Sequence, residues 1–208
     1  MQLKNKVVLS ENIRGAMIFE FFSPGIPIIL KNAGCEFALF DMEHGGLSLE
    51  QFKVLVTISN SNNISPLIRI PEVSYNYVAR ALDLGAAGIM TPMVNTAEDA
   101  IKIVKSSKYP PGGIRGAGFG FAHDSYNNQD PLSYIKKANN ELINIIQIET
   151  KLGLENVEAI SSIDGVDCLW VGHFDLTNFL GIPGDFLRQF ILMQSRRLLK
   201  QGRKIKKV

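Results

Sequence analysis

Six short apolar runs recur along the chain with segments of helical spacing between them, and this alternation narrows the fold more than any other feature. The runs are AMIFEFF (16–22), FALFDME (37–43), PLIRI (66–70), GIMTPM (88–93), NIIQIE (144–149) and CLWVG (168–172). Between them, 47–60 places apolar residues at Leu49, Phe52, Leu55, Val56 and Ile58, and 74–84 places Tyr77, Val78, Ala81 and Leu82. Both spacings predict amphipathic helices. A third helix is expected over 96–106, capped by Thr96, with Glu98 and Asp99 in the first turn where the helix dipole favours them. Strand–helix–strand alternation of this kind dictates a parallel sheet with right-handed crossovers, and continuous apolar strands indicate an outer face covered by helices. No GxGxxG follows the first strand, so a doubly wound dinucleotide fold lacks its signature. A (β/α)8 barrel is the expected architecture, with about six units visible.

The composition, 46% apolar and 20% charged over 208 residues, is that of a globular chain. The net charge of +2 hides an asymmetry, because residues 196–208 hold seven basic side chains and no acidic one. The remainder holds 15 basic against 20 acidic residues, about −5. We read residues 1–195 as one barrel-like domain and 196–208 as a basic tail. A solvated helix end explains such a tail, so neither a nucleic-acid nor a membrane partner is expected. Cys35 and Cys168 lie in apolar settings without a metal or redox spacing and read as reduced core residues. The N-terminal segment has no apolar stretch of signal-peptide length, and the run near 15–30 is broken by Glu20, Pro24 and Pro27. A soluble cytoplasmic protein is expected.

Polar residues fall at one end of the strands. His44 lies just past the second, Arg69 near the end of the third, Glu149 at the end of the fifth, and Asp175 three residues after the sixth. In a parallel barrel these ends converge on one rim, where active sites are built. The fifth and sixth strands are consecutive, about 4.8 Å apart if neighbours, which brings Glu149 and Asp175 within reach of one divalent cation. Two carboxylates completed by water and a substrate oxygen suit Mg2+ or Mn2+ better than zinc. Arg69 then serves to stabilise an oxyanion. His44 is a candidate general base, since histidine titrates near neutrality, and Asp41 is placed to orient its ring. Gln147 shares a face with Glu149 and belongs either to a core network or to substrate contact. Each residue alone has an ordinary reading, as a helix cap or ion-pair partner; their convergence favours function. The glycine-rich segment 108–130 is too long for a simple connector and reads as a binding loop, although His123 within it has no assigned partner.

The segments DMEHGG, PLIRIP, LDLGAAGIMTPMV, YPPGGIRGAG, IQIET and VGHFDLTNFLGIPGDF occur in the order found in the HpcH/HpaI aldolases, which this chain resembles from about residue 10 to 188. These are metal-dependent class II enzymes that cleave or form 2-keto-3-deoxy sugar acids and related 4-hydroxy-2-oxo acids. The resemblance implies that Glu149 and Asp175 hold Mg2+ or Mn2+, with Co2+ a further candidate. It implies that Arg69 meets the keto and enolate oxygen, that His44 with Asp41 is the catalytic base, and that Gln147 lines the site. The backbone amides near Phe174 and Asp175 would hold the pyruvate carboxylate. The partners implied are a small 2-oxo acid, an aldehyde and further copies of the chain. Where the family has proline in GPxDL, this sequence has His173, which is expected to turn outward. A family barrel needs about 250 residues, so strands seven and eight are expected to be missing, leaving the barrel C-terminally truncated. Two alternatives follow: an impaired relative that acts through self-association, and, less favoured, a citrate lyase β-like acyl-CoA lyase. The latter needs a basic groove, for which only the tail and Arg115 offer themselves.

Overall fold

The computed structural model describes residues 3–127 and 130–188. The expected boundary at 195 and the basic segment 196–208 lie outside the described residues. The element order is α1 (Leu3–Leu9), β1 (Gly15–Ile18), α2 (Ile26–Asn32), β2 (Phe37–Asp41), α3 (Leu49–Ser61), β3 (Ser65–Arg69), α4 (Tyr75–Asp83), β4 (Gly88–Thr91) and α5 (Ala97–Ser107). It continues with α6 (Pro131–Glu141), β5 (Ile143–Ile148), α7 (Lys151–Glu155), α8 (Val157–Ser161), β6 (Cys168–Val171) and α9 (His173–Phe179).

All six strands are parallel and pair in sequence order. The expected barrel is thus present as a half-barrel: among the described residues β1 and β6 each have a neighbour on one side only. The strands match the six apolar runs, but β1 is shorter than 16–22. Its pairing stops at Ile18 opposite Phe40, and the residues beyond, including the exposed Phe19 and Phe21, have left the sheet.

Helix ends follow local chemistry. Ser48 and Thr96 each form a capping box, with Gln51 and Asp99 respectively. Such reciprocal bonds satisfy backbone donors that have no partner within the helix. Asp130 and Thr150 cap α6 and α7 through their side chains.

Period two sorts the strand residues into two cores. Ala38, Phe40, Ile68, Ile89 and Ile146 face outward into one large cluster with Phe52, Leu55 and Val78 of the covering helices. Leu39, Leu67, Met90, Ile143 and Ile145 face the other way into a smaller cluster. Leu3 of α1 joins that inner cluster, and Lys4 fastens the helix by donating to the Leu142 carbonyl (2.7 Å) and pairing with Asp167. Helix α1 therefore lies across the N-terminal ends of β5 and β6. Neither cysteine is in a disulfide; Cys35 packs against the outer cluster and Cys168 against the inner one. Burial, aided by Asp167, pushes the Cys168 thiol up to about 11, so it stays protonated. No helix among the described residues is long and apolar enough to cross a membrane.

Replacing Thr96 with alanine removes the side-chain half of its capping box. Urea unfolding of this variant is expected to show a loss of about 1 kcal/mol, with the denaturant slope unchanged.

Candidate active site

The inner face changes character toward the C-terminal ends of the strands. Two residues beyond Leu39 stands Asp41, two beyond Leu67 stands Arg69, and beyond Ile145 come Gln147 and then Glu149. An apolar floor thus gives way to a charged rim on one face, because side chains alternate along a strand. Asp41, Arg69, Gln147 and Glu149 are all buried, none more than 4% exposed.

Arg69 organises one half of the rim. Asp41 is its register partner on β2, and Arg69 Nε donates to Asp41 Oδ1 at 2.5 Å. Arg69 Nη1 lies 2.8 Å from Glu43 Oε2, an ion pair outside hydrogen-bond geometry. Arg69 Nη2 is buried without a partner. The guanidinium also lies over the Phe19 ring, 5.6 Å from its centroid. Asp41 Oδ1 and Oδ2 accept from the backbone N–H groups of Glu43 and His44, both at 3.1 Å. Burial opposes ionisation of Asp41, but Arg69 and these amides outweigh it and hold its carboxyl below the usual range. Glu43 moves the other way: burial raises it against the pull of Arg69, and the nearby Glu149 charge raises it further.

The expectation that Asp41 orients the His44 ring is corrected by these contacts. Asp41 grips the backbone of His44, fixing where the loop leaves the strand. The ring itself is largely exposed, and its acidic neighbour is Glu43, with Oε2 3.9 Å from His44 Nε2. Glu43 belongs to the site although it was absent from the expected set. Its spacing of two from Asp41 was the available signal.

Glu149 anchors the other half. Its Oε1 accepts from the Met93 N–H at 2.6 Å, and its Oε2 accepts from Gln147 Nε2. Burial raises its carboxyl; the Met93 amide and Gln147 oppose that, and the neighbouring Asp175 charge raises it again. Gly172, just past β6, closes this corner. A Cβ there would lie 2.4 Å from Glu149 Oε2 and 2.6 Å from Glu149 Cβ, so only glycine lets the chain approach so closely. Gln147 Oε1 is buried without a partner. Asp175 sits half-buried in the first turn of α9, and Phe174 beside it is exposed. His173 is exposed and packs against Phe174 (tilted) and Phe186 (edge-on), with centroids 4.5 and 5.2 Å apart. Among the described residues no three His, Cys, Asp or Glu side chains form a cation-holding group. A cation here would therefore rely on the two carboxylates of Glu149 and Asp175, water and substrate.

The long loop goes elsewhere. It follows α5 and precedes α6 and β5, and Arg115 and His123 line a cavity of about 260 Å³ with Leu3, Ser65, Ala87 and Ile143, at the N-terminal ends of the strands. His123 is held there by Tyr134 Oη (2.6 Å) and the Gly118 carbonyl (2.8 Å). Arg115 is buried, donates to Asp83 Oδ1 (2.6 Å) and lies over the Tyr109 ring. The loop region thus braces the end opposite the carboxylates, and Arg115 is committed to that brace rather than to a groove for CoA phosphates.

The sequence model of HpcH/HpaI aldolase/citrate lyase matches residues 22–206. The chain belongs to the HpcH/HpaI family. It is 32% identical over 165 residues to a hydroxypyruvate/pyruvate aldolase of Roseovarius nubinhibens, covering 79% of this chain and 64% of that protein. It is 35% identical over 158 residues to a 4-hydroxy-2-oxovalerate aldolase of Rhodococcus jostii, covering 76% and 60% respectively. Its fold superposes on the crystal structure of an HpcH/HpaI aldolase from Desulfitobacterium hafniense with a TM-score of 0.94 at 30% identity, covering all of this chain and 80% of that one. The chain spans less than two thirds of the length of the Roseovarius and Rhodococcus aldolases.

Two outcomes follow from the rim. Because the folded Asp41 carboxyl lies below its ordinary value, its stabilisation is complete above the usual aspartate range and is lost as pH falls through the depressed value. Urea midpoints followed from about pH 7 to about pH 3, bracketing that range, should fall less steeply in Asp41→Asn than in the parent. Gly172→Ala should cost about 1–3 kcal/mol through overpacking against Glu149, measured in the same unfolding experiment.

Proposed function

We propose that this chain is a divalent-metal-dependent aldolase that cleaves a 4-hydroxy-2-oxo acid or 2-keto-3-deoxy sugar acid to pyruvate and an aldehyde. The observation that carries the reading is the buried rim itself. Arg69 Nη2 and Gln147 Oε1 are both desolvated and unpaired, one a donor and one an acceptor. Leaving such groups unsatisfied costs about 1–3 kcal/mol each, a cost that a small polar ligand removes.

The residues present fit a hard divalent cation. The donors are carboxylate oxygens, and Asp175 adds unfavourable negative charge to the already buried Glu149; a cation relieves both penalties. Glu149 and Asp175 would hold Mg2+ or Mn2+, with Co2+ also suited to such a set. When bound, the metal supplies Lewis acidity toward the substrate carbonyl.

The chain's own groups do the rest. Arg69, fixed on one side by Asp41 and Glu43, presents Nη2 to the keto oxygen and stabilises the charge that grows there as the C3–C4 bond breaks. Gln147 lines the same wall. The backbone N–H groups of Phe174 and Asp175 receive the substrate carboxylate. His44, at the solvent edge of the rim beside Glu43, takes the C4 hydroxyl proton, and the electrons of the breaking bond pass into the enolate while the aldehyde leaves. Reprotonation of the enolate carbon yields pyruvate. We further assign a homo-oligomer, supported by the outer edges of β1 and β6, which have no strand neighbour among the described residues, and by the exposed Phe21 and Phe179.

Pyruvate release from a 4-hydroxy-2-oxo acid, measured with EDTA and after adding Mg2+ or Mn2+, tests the reading. Turnover should require metal, disappear in Glu149→Ala and Asp175→Ala, and fall about 10²-fold in Arg69→Lys, which keeps the charge but loses the second donor. Equal turnover in EDTA, or in either carboxylate variant, would overturn it.

A further inference from the structure

We infer that Asn95 and Thr150 are positioning residues for Glu149, acting through a closed ring of hydrogen bonds that passes through the backbone of Met93. The inference rests on the reading of Glu149 as a cation ligand.

The ring starts from an unusual backbone. Met93, two residues past β4, has φ of +55°. A long side chain rarely adopts this left-handed conformation, which costs about 1–2 kcal/mol and persists only where the surroundings impose it. Its side chain is 41% exposed and buries little. What the conformation provides is the direction of one N–H, which donates to Glu149 Oε1 at 2.6 Å.

Asn95 imposes that conformation. Its Nδ2 donates to the Met93 carbonyl at 2.8 Å, and its Oδ1 accepts from Thr150 Oγ1. Its backbone is fixed as well: the Asn95 N–H donates to Asp99 Oδ2 at 3.2 Å, and the Asn95 carbonyl accepts from Asn156 Nδ2 at 2.8 Å. Thr150 is the residue after Glu149, and its hydroxyl also caps α7 by accepting from the Gly153 N–H at 2.9 Å. The circuit closes: Glu149 is covalently joined to Thr150, which bonds Asn95, which bonds Met93, which bonds Glu149. It ties the segment after β4 to the end of β5.

The residue types are tightly constrained. Position 95 needs a donor toward Met93 and an acceptor toward Thr150 on one short side chain, which asparagine supplies. Aspartate keeps the acceptor and turns the donor into a repulsive oxygen. Space is constrained too, since a Cβ on Gly153 would lie 2.5 Å from the Val94 carbonyl oxygen. The segment 93–95 is thus pressed between the first turn of α7 and the rim. None of these groups is among the proposed cation donors; they fix the direction of the carboxylate that is.

The test measures Mn2+ affinity of the metal-free full chain by calorimetry, alongside hydrogen exchange of the Met93 amide. Asn95→Ala and Thr150→Val should weaken Mn2+ binding by about 10–100-fold, the range for partners that orient a ligand. Both should accelerate Met93 exchange. Thr150→Ser, which restores the hydroxyl and the α7 cap, should bring both readouts back to within about threefold of the parent. Unchanged Mn2+ affinity in folded Asn95→Ala, or unchanged Met93 exchange, overturns the inference. If the parent chain binds no Mn2+ while Asn95→Ala still exposes the Met93 amide, the ring stands as the device that holds Glu149 and the cation reading falls. Thr150→Val gives the same readouts should Asn95→Ala not fold.

Discussion

A guanidinium can remain in the interior of a protein only where opposite charge meets it, and at Arg69 two carboxylates do so. Asp41 reaches it from the neighbouring strand because the parallel register of β2 and β3 places the two side by side. Glu43 reaches it from the loop, and that loop has its course because Asp41 also grips two backbone amides. One carboxylate therefore sets both the direction of the arginine and the exit of the chain toward His44. Removing either partner would leave a buried charge uncompensated, which is far more costly than the pair is favourable.

One carboxylate in each half of the rim is set against stability. Glu43 and Glu149 are both held above the ordinary carboxylate range, chiefly by burial, with the Glu149 charge adding to the rise at Glu43 and the Asp175 charge to the rise at Glu149. Groups in that condition make folding less favourable at neutral pH than it would be without them. The two cores compensate, since the inner residues next below the rim, Leu39, Leu67 and Ile145, are apolar. A site of this kind is affordable because its floor and its outer cover are ordinary hydrophobic packing.

Much of this was legible in the sequence because it depends on periodicity. The six apolar runs became the six strands, the helical spacing of 47–60, 74–84 and 96–106 became α3, α4 and α5, and the cap at Thr96 was readable from its first turn. The polar ends of the strands were readable too, since Asp41, Arg69 and Gln147 follow apolar residues at a spacing of two, and Glu149 follows Gln147 at the same spacing. What failed depended on which atoms meet in three dimensions. Asp41 lies three residues before His44, and spacing alone does not tell a backbone contact from a ring contact. The segment 108–130 looked like a binding loop by length and glycine content, yet its place between a helix and the next strand put Arg115 and His123 at the opposite end of the sheet. The dependence of Glu149 on Met93 has no sequence signal, because it uses a backbone N–H.

The brace at that opposite end has its own consequence. Asp83, Tyr109, Arg115, His123 and Tyr134 form a second charged and aromatic centre that shares no residue with the rim. Between the two lies the apolar floor of Leu39, Leu67, Met90, Ile143 and Ile145. Mutational effects at separated centres add rather than couple. The molecule therefore offers two independent handles: resistance to heat can be adjusted at the brace without disturbing the arrangement of charges at the rim, and variants selected at one can be combined with variants selected at the other.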